Sequence, residues 1–290
     1  MPLKDLLVCI DRTDAGYGRL ELAFSLARAS RAYLTGAYVL PEAHDAPAGS
    51  AGFGFGPPAG MTGLAAEGVS AGGVLREAEA AESAELHFKS KLRLNGIEGE
   101  WHLLPKGDAT VLMELAKSAD LTVAGQRPPN SHADGAARFR PEDIVLAAGR
   151  PVLIVPYAGS FETVGRRALI AWDGTREASR ALNDALPLLA EAEAVSVVFV
   201  GSQERELVQH QPGLERVARH LQRHGIPATP ENTLRSGLAV SDILLSRAAD
   251  LAADLIVSGG YHHSQLREAL LGGVSRELLD HMTVPVLMSH

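Results

Sequence analysis

The chain repeats itself. The segment Ala119-Asp120-Leu121-Thr122-Val123-Ala124-Gly125 returns as Ala253-Asp254-Leu255-Ile256-Val257-Ser258-Gly259, with the two glycines 134 residues apart. Pro151-Val152-Leu153-Ile154-Val155 returns as Pro285-Val286-Leu287-Met288 at the same offset of 134. A spacing kept between landmarks marks a duplicated structural unit, so the fold must close its own core in about half of the 290 residues. Each copy also opens alike. Leu6-Leu7-Val8-Cys9-Ile10-Asp11 and Ala168-Leu169-Ile170-Ala171-Trp172-Asp173 are apolar runs that end in an acid, at an offset of 162. The first copy therefore carries 28 more residues than the second between these landmarks. Residues 41–73 hold the surplus: nine Gly, four Pro and eight Ala among 33 positions cannot build a regular packed element, so an insert without regular structure is expected there.

Within each copy short apolar runs alternate with segments of helical periodicity, which specifies a parallel sheet. In the second copy the spacing predicts a strand over Ala168–Trp172 and a helix over Thr175–Leu189, with Ala178, Ala181, Leu182, Ala185, Leu186 and Leu189 on one face. A strand over Val195–Val200, helices over Glu204–His224 and Ala239–Leu251, and a strand over Leu255–Ser258 follow. The first copy repeats the order with Ala15–Ala29, Leu34–Leu40, a long helix over Leu75–Asn95, Trp101–Leu104, Ala109–Ala119 and Leu121–Ala124.

Composition narrows the function. Lys and Arg number 27 against 35 Asp and Glu, a net charge of −8, so the chain lacks the basic footprint of a nucleic-acid binder or of a protein drawn to anionic membranes. The single Cys9 excludes an internal disulfide framework and a four-cysteine zinc site, as expected of a reducing compartment. No uninterrupted apolar run reaches bilayer length and no signal peptide is legible, so a cytoplasmic protein is expected.

In an open parallel sheet the ligand crevice lies beyond the carboxyl ends of the strands. Asp173, Val200 and the passage from Gly259 to Ser275 occupy those places in the second copy. That passage runs from strand into loop and reaches a diglycine, Gly272-Gly273, where a further helix begins. Glycines allow close backbone approach, and free N–H groups at a helix start attract phosphate.

These residues make the chain resemble the universal stress protein family, whose nucleotide-binding members carry G-x2-G-x9-G-[S/T] after the fourth strand and an Asp at the end of the first. Gly259 and Gly272 are 13 apart, as that motif requires, and Thr283-Val284-Pro285-Val286-Leu287 stands where the family has its closing Pro-Val strand. The resemblance covers nearly the whole chain as two copies, with the 41–73 insert outside it. It implies two tandem flavodoxin-like or Rossmann-like α/β domains, over residues 1–157 and 163–290, packed as an intrachain pseudo-dimer through their closing strands. It further implies an adenine nucleotide, ATP or AMP, with or without magnesium, held by Asp173, Val200, Ser258, Gly259, His262, Gly272, Gly273, Val274 and Ser275.

The sequence departs from the motif at two of these positions. His262 stands at its second glycine, so the loop runs differently or the imidazole fills phosphate space; alternatively the ring, or that of His263, touches phosphate directly. Gly273 replaces the Ser or Thr, keeps its backbone N–H, and has Ser275 two positions on as a substitute hydroxyl. In the first copy Asp11, Val39 and Gly125 remain in the family's places. Arg138 and Phe139 replace the third glycine and the hydroxyl, so this degenerate second site is expected to be structural or regulatory.

Simpler roles stand beside these. An acid after a strand often caps the next helix, which fits Asp173 and Asp11 without excluding a ligand role. His220 and His224 have the spacing of a helical metal pair but lie among Arg216, Arg219 and Arg223, which favours a solvated face; His281 and His290 have no ligand companions. No Ser-His-Asp order, nucleophile elbow or paired catalytic carboxylates is placed convincingly, so catalysis is unsupported beyond the slow ATP hydrolysis of some family members. The competing function is a nucleotide-independent interaction module whose insert recruits a protein partner through Phe53 and Phe55. Association of whole chains into a homodimer stays open.

Overall fold

The computed structural model describes residues 2–11, 13–40, 71–104, 109–127, 140–260 and 273–290. Most of the 41–73 insert, with Phe53 and Phe55, lies outside the described residues, as do Arg138, Phe139, His262, His263 and Gly272.

Among the described residues ten strands form one sheet. The first copy supplies β1 (Asp5–Ile10), β2 (Tyr33–Val39), β3 (Gly99–Leu104), β4 (Leu121–Gly125) and β5 (Val152–Val155). The second supplies β6 (Arg167–Ala171), β7 (Ala194–Gly201), β8 (Ala228–Leu234), β9 (Leu255–Gly259) and β10 (Val286–Ser289). The order across the sheet is β3-β2-β1-β4-β5-β10-β9-β6-β7-β8. Each copy thus repeats the same order of its own five strands, and every pair is parallel except the central one. There β10 runs antiparallel to β5, with Val286 opposite Ile154, Leu287 opposite Leu153 and Met288 opposite Val152. All six side chains are fully buried. The chain is two tandem Rossmann-like units joined as an intrachain pseudo-dimer, and the join is dry because both closing strands are apolar on both faces.

Helices cover the two faces of the sheet. They are α1 (Asp14–Ser30), α2 (Ala71–Asn95), α3 (Ala109–Ser118) and α4 (Pro141–Ala148) in the first copy, and α5 (Arg176–Ala185), α6 (Glu204–Arg223), α7 (Val240–Asp250) and α8 (Gly273–His281) in the second. Strand alternation sorts the core. Leu6, Val8 and Ile10 of β1 join Phe24, Phe88 and Leu287 on one face, while Leu7 joins Ile154, Leu169, Ile256 and Met288 on the other. Both apolar layers cross the join, so the two copies share their core.

Three elements depart most from the sequence reading. Helix α2 starts at Ala71 rather than Leu75, taking the last residues of the Gly-rich stretch into its first turn. Helix α5 ends at Ala185, well before Leu189, because Pro187 has no N–H to continue the ladder; Leu188 and Leu189 turn back on the Ala185 carbonyl instead. Strand β8, Ala-Thr-Pro-Glu-Asn-Thr-Leu, has too polar a composition to announce itself. It lies at the sheet edge, where Pro230 is tolerated.

The repeated acid of the Ala-Asp-Leu motif has a structural role that the sequence reading did not assign. Asp254 Oδ1 accepts from the backbone N–H of Gly165 at 3.0 Å and of Arg167 at 3.1 Å, and Oδ2 from that of Arg166 at 3.1 Å. Asp120 Oδ2 accepts from Lys4 N–H at 2.8 Å and Asp5 N–H at 3.1 Å. Each acid anchors the start of its copy's first strand to the start of its fourth.

A candidate ligand cleft in the second copy

A cavity of about 310 Å3 opens at the carboxyl ends of β6, β7 and β9. Trp172, Asp173, Val200, Ser258, Gly259, Gly273, Val274 and Ser275 line it, with Val198, Phe199, Val240 and Leu244 as part of its apolar wall. Its size is at the lower end of the ~300–1,000 Å3 usual for small-molecule sites. Seven of the nine expected site residues meet here; His262 and Gly272 lie outside the described residues.

The local geometry follows from short-range hydrogen bonding. Thr175 caps α5, its Oγ1 accepting from the Ala178 N–H at 3.2 Å. Asp173 Oδ1 in turn accepts from Thr175 N–H at 3.0 Å and from Thr175 Oγ1–H at 2.6 Å. The threonine is therefore the cap and the aspartate buttresses it, which corrects the assignment of the cap to the acid. The other Asp173 oxygen, Oδ2, has no partner among the described residues, and the side chain is exposed.

Gly259 has a packing reason to be glycine: a Cβ there would stand 2.6 Å from Ala178 N and 2.7 Å from Glu177 C, inside the first turn of α5. The helix α8 begins at Gly273 and its first turn lines the opening, where the positive end of a helix favours anions. Val274 is 39% exposed and Ser275 is buried. Ser241 of α7 donates to Glu277 Oε2 at 2.8 Å and ties the two helices together behind the cleft.

In the first copy the corresponding aspartate is paired within the chain. Asp11 Oδ1 accepts from Thr13 N–H at 2.9 Å and from the Thr13 hydroxyl, and Thr13 caps α1 by accepting from Gly16 N–H at 3.0 Å. Asp11 Oδ2, however, accepts from Arg19 Nη2–H at 2.7 Å, and Arg19 Nε–H donates to the Cys9 carbonyl at 2.8 Å. Arg19 is only 4% exposed, and a Cβ on Gly125 would collide with its guanidinium. Val39 is half-buried and packs against the core layer on the other side of the sheet from the Leu6–Val8–Ile10 layer.

Burial pushes the Asp11 carboxyl up, but the Arg19 charge and the Thr13 hydrogen bonds outweigh it and hold the group below the ordinary carboxylate value. Burial dominates at Cys9, whose thiol is pushed up to about 11 against the pull of Arg19. The sequence reading missed Arg19. The signal was present: Arg19 shares the apolar face of α1 with Leu20, Ala23 and Ala27, and the 162-residue offset sets it against Ala181.

Another expected feature takes a plain form. The rings of His220 and His224 meet edge to face at 4.7 Å. Among the described residues no group of three or more His, Cys, Asp or Glu is placed to hold a metal ion, and no helix is long and apolar enough to cross a membrane.

A doubly wound sheet duplicated about an antiparallel central pair, with a cleft at its carboxyl edge, defines the class, and sequence comparison finds a family likeness in the second copy. Residues 165–290 match the universal stress protein family. A universal stress protein from Archaeoglobus fulgidus DSM 4304 shares the fold with a TM-score of 0.72 at 14% identity, over 98% of this chain and 96% of that one. A functionally unknown protein from Pseudomonas aeruginosa PAO1 gives a TM-score of 0.62 at 16% identity, over 99% of this chain and 92% of that one. At such identities the likeness is one of architecture, and it extends to both copies. No curated protein sequence matches the chain.

Proposed function

We propose that the cleft of the second copy binds an adenine nucleotide, ATP or AMP, and that the protein acts as a nucleotide-responsive member of its family, with residues 1–157 and 163–290 as its two domains. One observation carries the reading. A carboxylate, Asp173, and the first turn of α8 at Gly273–Ser275 line the same cavity, with apolar walls that include Trp172 and Val200. That combination matches a ligand with hydroxyl or amino donors at one end, a flat apolar body and an anion at the other. Asp173 accepts from the nucleoside, Val200 packs against it, Ser258 and Gly259 line the floor, and the Gly273, Val274 and Ser275 amides face the phosphate.

The charge of the cleft bears on which nucleotide enters. Its described lining residues include Asp173 and no Lys or Arg, so α8 amides supply the positive end. A triphosphate therefore enters with its magnesium, whereas AMP needs none. Calorimetric titration with Mg-ATP and with AMP tests the reading. Saturable binding that Asp173→Ala weakens at least tenfold is expected; no binding heat at millimolar nucleotide sinks it.

A further inference from the structure

The two copies keep one register through their first helix and differ in what that helix sends into the cleft. Thr13 and Thr175 are the caps, Asp11 and Asp173 lie two residues before them, and Arg19 and Ala181 lie six residues after. In the first copy two acceptors at the end of the first strand, the Cys9 carbonyl and Asp11 Oδ2, are satisfied by one planar cation. In the second copy the same positions are the Ala171 carbonyl and Asp173 Oδ2, and no described side chain donates to either. Ala181, fully buried, has nothing to offer them.

A buried guanidinium needs its charge paired, and Arg19 meets that condition by placing Nε–H on a carbonyl and Nη2–H on a carboxylate. Gly125, placed where any side chain would strike that guanidinium, completes a corner shaped around it.

We propose that Arg19 is a tethered ligand of the first copy. Its guanidinium occupies the carboxylate end of that cleft in place of a free molecule, and removing it uncovers a binding site for a small planar cation of the guanidinium class. The first copy is then held permanently in its filled form, and the response to free ligand belongs to the second copy. That last clause rests on the nucleotide reading above; the plug itself does not.

Thermal unfolding of full-length Arg19→Ala and Arg19→Met tests the plug, in 0–20 mM guanidinium chloride against equal sodium chloride. Both variants are expected to melt lower than the parent chain by on the order of 10 °C. Guanidinium should restore part of the loss in Arg19→Ala with saturation. It should not do so in Arg19→Met, whose side chain fills the space, nor raise the melting point of the parent chain. An Arg19→Ala protein that melts with the parent, or that responds no more to guanidinium than to sodium, overturns the proposal. Should Arg19→Ala fail to fold, its refolding yield in the two salts is the readout, and equal yields overturn it as well. The reverse graft, Ala181→Arg, addresses the clause on the second copy and is expected to lower nucleotide affinity at least tenfold; unchanged affinity overturns that clause. A parent chain that binds no nucleotide defeats the reading of the second cleft, while guanidinium rescue of Arg19→Ala remains decisive for the plug.

Discussion

The two clefts are built from the same backbone and end in opposite conditions. Both begin with a strand that delivers an aspartate, followed two residues on by a threonine that caps a helix and donates to the same carboxylate oxygen. In the first copy the second oxygen is consumed by Arg19; in the second it has no partner among the described residues, and Asp173 lines the cavity. The lesson is that equivalent motif residues can take different surroundings in the two copies: Asp11 sits in an internal ion pair and Asp173 lines an open cavity, although both look alike in sequence.

The largest test of that contrast is the pair Asp11→Ala and Asp173→Ala. Removing Asp11 leaves a buried guanidinium without its counter-charge, and a loss of about 2–4 kcal/mol is expected, below the full value for a sealed pair because Asp11 itself is 31% exposed. Removing Asp173 costs under about 1 kcal/mol, the worth of its support to the Thr175 cap. Denaturant unfolding of both variants measures the difference, and equal losses break the comparison. The pH dependence has a definite sign. The Asp11 carboxyl is held below its ordinary value in the folded chain, so its contribution is complete above the unfolded value, about pH 4, and is lost as pH falls through the lowered one. The acid-induced loss of stability should shrink in Asp11→Ala and stay as in the parent in Asp173→Ala.

A second pair of equivalent acids differs in degree instead of kind. Asp254 receives three backbone N–H groups and Asp120 two, the latter with Arg150 at 3.6 Å beside it. Each variant to Ala leaves those donors to water, since the strand starts are largely exposed, and at roughly 1 kcal/mol per charge-assisted bond Asp254→Ala should lose about 3 kcal/mol and Asp120→Ala about 2. An order reversed in the melting curves shows that the join, and not the strand start, limits the second copy.

Much of the architecture was legible because duplication doubles every landmark. The offsets of 134 and 162 located the strands, the surplus residues and the closing pair Val152–Val155 and Val286–Ser289 before any packing was known. Strand β8 was not legible, since an edge strand half in water needs no apolar run. The cleft was partly legible: Asp173, Val200 and Gly273–Ser275 converge where strand ends place them. The pairing of Asp11 was not legible, because Arg19 lies eight residues from it on a helix face, and only the fold brings the guanidinium beside Gly125. The double role of the repeated acids was hidden for the same reason: their partners are backbone groups up to 116 residues away.

The smallest effect concerns the helices beside the join, where the copies differ again. Glu142 lies in the first turn of α4, a position that Arg276 of α8 holds in the second copy. A carboxylate at a helix start is ordinarily favourable, but here burial pushes the Glu142 carboxyl up, with Asp143 and Asp280 adding to it, against the hydrogen bond from its own backbone N–H and the Arg140 charge. Its Oε2 has no hydrogen-bond partner among the described residues. A carboxyl raised in the folded state is a cost to folding that is full above the raised value and relieved as pH falls through it toward the unfolded value. Glu142→Gln removes the charge and keeps the shape, so it should raise the melting point by about 1–2 °C at pH 7 and leave it unchanged near pH 4. A variant that melts lower at pH 7 shows instead that the helix-start attraction at α4 outweighs the burial, and that the first copy uses this acid as the second copy cannot use Arg276.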